Sequence, residues 1–328
     1  MPDGKLLHLC ISHQKGIAKE EVSSARLQVE HGMEGDAHAG DWHRQISLLA
    51  HRDIESMSAK GLILKPGAFG ENLVIDGLDT AQLGIGSQLR IGSTLLELTQ
   101  IGKVCHTRCA IYYTTGDCIM PRTGLFARVL EGGEIEAGLA VKVVRAIQRD
   151  TLQAAVITIS DLCAAGTMKD TSGPAVADLV RDTMQAHIAA STIIPNETDI
   201  LEKTLRNYSE RQIDLLFTVG GTGLSSTDIT SEVARKVIDR EILELPELIL
   251  ANNALQAQIS RALAGVHRTT LIVNLPGSLR GATEDLRAIL DILPHAVKTL
   301  RGDTAQPEND HEHLITPATA TDYSEHRS

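Results

Sequence analysis

Three glycines within four residues, Gly220, Gly221 and Gly223, follow a short apolar run, Ile213 to Val219, and precede a helix expected to start near Thr230. Glycine lets backbone N–H groups approach a ligand with no Cβ in the way. A strand, a glycine-rich turn and a helix N-terminus together present free N–H groups and the positive end of a helix dipole, which is an anion site. Thr222 and four further Ser/Thr residues add hydroxyls, and Asp228 is the loop's one carboxylate. Beside phosphate-binding amides a carboxylate suits Mg2+ better than phosphate itself. The plainer alternative is a tight strand-to-helix turn with Thr230 as the N-cap. The loop is neither Gly-Lys-Ser/Thr nor G-x-G-x-x-G.

Two polar constellations lie in the first half. Residues His31 to Arg44 carry His31, His38, His43, Glu34, Asp36, Asp41, Arg44 and the only tryptophan, Trp42. Cys105, Cys109 and Cys118 fall in a second segment, where Lys103, His106 and Arg108 flank Cys105. Positive neighbours raise the thiolate fraction of a cysteine. Three readings compete: a zinc or iron–sulfur site of unspecific spacing, buried inert thiols, or a reactive thiol in a basic pocket.

The elements that must position these groups differ between the halves. Residues 1–148 read as β-rich, with short apolar runs at Leu6–Ile11, Ile46–Leu49, Asn72–Ile75, Gln88–Ile91, Thr94–Thr99 and Leu139–Val144, a pattern that predicts a compact barrel or folded sheet. Residues 149–303 alternate strand and helix. Strands are expected at Ala154–Ile159, Ser191–Ile194, Ile213–Val219 and Thr269–Leu275. Helices are expected at Gly173–Ala190, Asp199–Tyr208, Ser231–Arg240, Pro246–Leu263 and Ala282–Leu300. This predicts an α/β fold, a parallel sheet covered on both faces, with ligands at the carboxyl ends of its strands. Three polar loops fall there: Ser160 to Pro174, Gly220 to Thr230, and Asn274 to Arg280. In the first, Ser172 reads as a helix cap with Pro174 in the first turn. The join at 146–153 has no Pro/Gly/Ser linker and predicts a tight junction. Residues 304–328 lack the apolar content to fold and read as a disordered tail.

The chain has 328 residues and a net charge of −11. The charge argues against nucleic-acid binding, and aromatics at 2% leave few stacking platforms. No apolar run reaches membrane-spanning length, and Leu6 to Ile11 is too short, and broken by His8, for a signal peptide, so a cytoplasmic location is expected.

In the first half, Gly35-Asp36-Ala37-His38-Ala39-Gly40, Phe69-Gly70-Glu71-Asn72-Leu73, Leu83-Gly84-Ile85-Gly86 and Cys105 together resemble a MOSC domain. The resemblance implies a β-rich module that binds molybdopterin-type cofactors in a pocket at Asp36, His38 and His43. It also implies, in some members, sulfur handling by the cysteine that Cys105 matches.

The second half resembles the MogA/MoaB family, which includes the gephyrin G domain, at five blocks in order: Thr158-Ile159-Ser160-Asp161, Asp170-Thr171-Ser172-Gly173-Pro174, Gly220-Gly221-Thr222-Gly223, Asp228-Ile229-Thr230 and Asn274-Leu275-Pro276-Gly277. The resemblance implies Mg2+- and ATP-dependent adenylylation of molybdopterin. It implies nucleotide and substrate contacts from Ser160, Asp161, Asp170, Ser172, Gly173, the glycine loop, Asn274, Pro276, Gly277 and Ser278, with Asp228 as the catalytic, metal-associated acid. It also implies a homo-oligomer, a trimer in this family. The family's first acid of Pro-Asp-Asp/Glu is replaced here by Asn196, which can offer a metal its carbonyl but no charge. Two alternatives follow: a non-catalytic carrier of the cofactor, or sulfur transfer through Cys105 as the main activity. Expected partners are molybdopterin and ATP, with apo-molybdoenzymes or a cysteine desulfurase beyond them.

Overall fold

The computed structural model describes residues 3–103, 110–252 and 261–302. Cys105, Cys109 and the expected tail lie outside them.

The first half contains β1 (Gly4–Ile11), β2 (Glu20–Val22), β3 (Ser24–Gln28), β4 (Gly32–Met33), β5 (Ile46–Ala50), α1 (His51–Ser58), β6 (Leu73–Asp76), β7 (Gln88–Ile91), β8 (Thr94–Ile101), α2 (Ala110–Thr115), α3 (Met120–Thr123), β9 (Leu125–Glu131), β10 (Gly133–Glu136) and β11 (Ala140–Arg145). Strands β11-β7-β8-β9-β5-β6-β1 pair in that order, and β11 pairs back onto β1, closing a seven-stranded barrel. Closure leaves those strands no free edge. The inward side chains of alternate positions, Leu6, Leu48, Leu73, Leu89, Leu96, Leu98 and Val141 among them, form one core. The expected strands are all present. The sequence reading missed β9, which closes the ring between β8 and β5, and β3, β4 and β10, which form a separate small sheet. β3 and β10 are short and largely exposed, and β4 is only two residues long, so their hydrophobic alternation is faint.

The second half contains β12 (Gln153–Ile159), α4 (Asp161–Ala164), α5 (Ser172–Met184), β13 (His187–Ile194), α6 (Thr198–Glu210), β14 (Leu215–Val219), α7 (Thr230–Val237), β15 (Arg240–Glu241), α8 (Glu244–Asn252), β16 (Ala264–His267), β17 (Thr270–Leu275), α9 (Leu279–Ile289) and α10 (Leu293–Arg301). The sheet order is β13-β12-β14-β17-β16-β15. Side chains alternate between its faces. Val156, Leu215, Phe217 and Val273 pack under α5, α9 and α10, whereas Ile157, Leu216 and Ile272 pack under α6 and α7.

Several expectations need correction. The sheet is parallel only through β17; β16 and β15 add antiparallel strands at one edge. The helix expected to run to Ala190 stops at Met184, where Gln185 turns left-handed (φ 53°), and the strand expected at Ser191 begins at His187. As a half-exposed edge strand, β13 carries small and polar residues that extend the helical pattern. The helix expected from Pro246 to Leu263 is described only as far as Asn252, and Ala264–His267 is a strand that turns back through Arg268 (φ 56°). The last helix breaks between Leu290 and Ile292, ahead of Pro294, whose ring cannot continue an α-helix.

The junction is tight. Gly84 N–H donates to Ile147 O (2.8 Å) and Ile147 N–H to Ser87 Oγ (3.0 Å), and Leu83 bridges to Gln148. Arg301 closes on Asp214 (2.5 Å) and on the Asp150 carbonyl (2.9 Å). No helix among the described residues is long and apolar enough to cross a membrane.

Candidate functional site

The chain leaves β12 to form β13 on one side, then returns to form β14 on the other. Between β12 and β14 the direction of winding reverses, the position beyond the carboxyl ends of the strands where open α/β sheets generally take their ligands. Ser160 and Asp161 follow β12, Asn196 follows β13, the glycine loop follows β14, and Pro276 to Ser278 follow β17.

The loops interlock. Gly220 (φ 105°) lies against Ile159, whose carbonyl oxygen would be 2.5 Å from a Cβ at that position. A Cβ on Gly277 would come 3.2 Å from Gly220 Cα. Ser172 Oγ donates to Gly277 O (2.8 Å), joining the first loop to the third. Thr230 N–H donates to Gly221 O (3.0 Å) and its hydroxyl to Gly220 O (2.8 Å). Ser172 was expected to cap its helix, and Thr230 was the cap in the plainer alternative reading of the glycine loop; neither hydroxyl does so. Each is the first residue of its helix and instead fastens a loop. Asp170 satisfies the start of α5, accepting from Ser172 and Gly173 N–H (3.0 Å each) while Thr158 Oγ1 donates to its other oxygen (2.7 Å). A Cβ on Gly173 would collide with that carboxylate. Ser160 and Ser278 do act as N-caps, accepting from Cys163 and Gly281 N–H. Pro276 packs against Gly281.

Asp228 sits half-buried and accepts from Ser225 N–H (2.9 Å). Asn196 donates its backbone N–H to Asp161 Oδ1 (2.8 Å) and its amide to Asp161 Oδ2 (3.2 Å). Asn196 Oδ1 is then left buried with no hydrogen-bond partner, 3.2 Å from where a Gly221 Cβ would stand. Asn274 lies in β17, fully buried, accepting from Thr218 Oγ1 (2.8 Å), so it braces the sheet under the loops while its Nδ2 has no partner.

Sequence reasoning missed Arg261. Its Nε donates to Gly223 O (2.8 Å), its Nη2 to Asp228 O (2.5 Å) and its backbone N–H to Thr222 O (2.9 Å), and it pairs with Glu232. One guanidinium thus spans the glycine loop from end to end. These partners are 29–39 residues away in the chain, and three of the four are carbonyls, so no local pattern marks it.

The barrel holds a second candidate site. Asp36 is fully buried and paired with Lys19, and it also accepts from His38 N–H (2.8 Å), Asn72 Nδ2 (3.1 Å) and Ser12 N–H (3.2 Å). Burial works to raise its carboxyl, but these donors hold it below the usual carboxylate range. His38, whose Nδ1 is buried without a hydrogen bond, lines a cavity of about 240 Å3 with Trp42, Arg44, Asn72 and Lys103. Burial lowers its pKa. His43, expected in the same pocket, faces a different cavity, and its Nε2 bonds Gln100 Oε1 (2.9 Å). Burial, with Arg211 nearby, lowers it to about 4. Cys105 falls outside the described residues, two positions after Lys103.

Comparison with known proteins agrees with this division. The MOSC domain family matches residues 35–142, and the family described as a probable molybdopterin binding domain matches residues 155–295. The Drosophila melanogaster molybdenum cofactor synthesis protein cinnamon is 33% identical over 177 residues, 53% of this chain and 30% of that protein. The Dictyostelium discoideum gephyrin is 27% identical, over 21% of its own length. The chain thus spans under a third of these two longer relatives. A molybdopterin adenylyltransferase of Helicobacter pylori strain J99 is 31% identical over 161 residues, 92% of its length. Among solved structures, MoaB of Thermus thermophilus is 37% identical, covering 46% of this chain and 98% of that one, with a TM-score of 0.44. The chain therefore belongs to the MogA/MoaB family of molybdenum-cofactor biosynthesis proteins, with a MOSC domain preceding the family's α/β fold.

Proposed function

We propose that the α/β half adenylylates molybdopterin. A terminal phosphate oxygen of molybdopterin attacks the α-phosphorus of ATP, the bond to the β-phosphate breaks, and pyrophosphate leaves. No covalent protein intermediate is needed, so the protein's task is to align two anions and stabilise the charge between them. The observation that carries this reading is the interlocked loop set. Three loops meet at the winding reversal, and the backbone of Gly220 and Gly221 is held at positive φ by Thr230 and Ile159. A pre-fixed amide cradle costs no reorganisation when charge develops. The glycine-loop amides and the start of α7 hold nucleotide phosphate. Asp161, Asp170, Ser172 and the Pro276–Ser278 turn border the other substrate.

Mg2+ would neutralise the reacting phosphates. Asp228 and the unpartnered Asn196 Oδ1 fit it, since this ion commonly takes one or two protein oxygens and completes its shell from substrate and water.

The barrel's part is to bind the product at the cavity beside His38 and pass it on, with Cys105 as the thiol for sulfuration. Asn196 at the family's acid position favours a second reading, a carrier that binds without reacting. Pyrophosphate release from Mg-ATP and molybdopterin by the full chain separates the two. Molybdopterin-dependent turnover supports the transferase. Binding of both substrates without pyrophosphate supports the carrier.

A further inference from the structure

A cavity of about 410 Å3 lies between the barrel and the α/β half. The barrel contributes Trp42, His43 and Arg128, and the α/β half contributes His187, Asn207 and Arg211. His187 opens β13 and Arg211 follows α6, so the cavity lies at the amino-terminal end of the sheet, opposite the interlocked loops. It is wide enough for a small organic molecule.

Three buried polar atoms of its lining have no hydrogen-bond partner: Arg211 Nε, Asn207 Oδ1 and His43 Nδ1. Buried polar groups are otherwise nearly always satisfied, so a cluster of orphans around one cavity indicates a missing occupant. The Arg211 guanidinium lies over the Tyr208 ring (5.1 Å) and has no carboxylate partner among the described residues. The other lining charges do not serve it. Glu97 is taken by Arg128 (2.9 Å) and Gln88 (3.1 Å), and Glu30 and Asp41 are exposed to solvent. A largely buried cation without a counter-charge is costly and calls for an anion.

The remaining two orphans ask for donors. Gln100 donates its amide to Gly102 O (2.8 Å), which turns its Oε1 to His43 Nε2. His43 therefore carries its proton on Nε2 and leaves Nδ1 as an acceptor. Asn207 Oδ1 is an acceptor as well. The occupant thus combines one anionic group with N–H or O–H donors.

We propose that the interdomain cavity binds a small phosphate ester whose organic part bears hydrogen-bond donors, with Arg211 on the phosphate and His43 and Asn207 on the donors. The site is separate from the glycine loop and does not rest on the adenylylation reading.

The test uses the full chain with three probes: AMP, adenosine and inorganic phosphate. Calorimetry should show AMP binding more tightly than either fragment. Arg211→Gln should weaken AMP by about tenfold or more, and Arg211→Lys by less, because charge without the planar fork is retained. Crystals soaked in 8-bromo-AMP should give a bromine anomalous peak in the cavity. Equal AMP affinity in wild type and Arg211→Gln, binding of inorganic phosphate with the ester excluded, or a bromine peak only at the glycine loop would each overturn the proposal.

Discussion

Asp161 holds Asn196 by both its backbone N–H and its side-chain amide, and so turns the free Asn196 Oδ1 toward Gly221. Read from sequence, Asn196→Asp restores the family acid and should hold or raise the rate of adenylylation. The contact reverses that sign. The new carboxylate would face Asp161 where an N–H now donates, and two adjoining carboxylates do not both ionise readily. Pyrophosphate release should fall roughly tenfold at pH 7.5 and recover partly near pH 6, as one proton is shared. A rate at or above wild type across that range contradicts the pairing.

Asp228→Asn keeps an acceptor for Ser225 N–H and should leave the melting temperature within a degree or two, on the order expected for a near-isosteric surface change. Loss of the charge should lower pyrophosphate release by about a hundredfold, typical of removing one group that stabilises charge in the transition state. Turnover unchanged at saturating Mg2+ removes Asp228 from the chemistry.

Gly221→Ala tests the loop itself. Gly221 has φ 64°, and a Cβ there would strike Thr230 Oγ1. Strain and the lost Thr230 bond together should cost about 1–3 kcal/mol of stability and weaken ATP binding. Denaturant titration and nucleotide calorimetry measure both, and wild-type values in each would show a looser loop.

His43 makes stability depend on pH. Its ring is buried and neutral, with its pKa lowered to about 4 from an ordinary 6.5. Between those values the unfolded chain takes up a proton that the folded chain does not, so stability is lost as pH falls from about 6.5 to 4 and is constant above. The difference corresponds to about 3 kcal/mol at most. His43→Gln should flatten part of the loss between pH 7 and pH 5; His38 and His187, also lowered, account for more of it. Parallel stability curves for the two proteins would contradict the assignment.

Cys10 should be the slowest thiol to alkylate. It is fully buried, and burial together with Glu71 and Glu21 pushes it up to about 12. Cys105, flanked by Lys103, His106 and Arg108, should label first near pH 7.5. Timed alkylation with peptide mapping decides, and early labelling of Cys10 reverses the order.

The glycine loop was legible because its demands are local. Gly220 and Gly221 take positive φ and close approaches that other residues reject, and such positions show in the residue types alone. The buried strands β12, β14 and β17 were legible for a similar reason, as continuous apolar runs between turns. Edge strands were not. Half-exposed at the sheet's edge, β13 carries the small and polar residues that helices also use.

The residues by themselves therefore determined the strand runs, the three loops and the order of the two halves, since each is a property of a short stretch. Tertiary structure decided what depends on distant partners. It joined β11 to β1 to close the barrel, laid Arg261 across the glycine loop and set Asp161 on Asn196. It turned His43 away from His38 and left Arg211 without an anion between the halves. The contacts that close the barrel, span the glycine loop and hold Asn196 each join residues 29 or more positions apart, and only the folded chain brings them within hydrogen-bonding or charge-pairing reach.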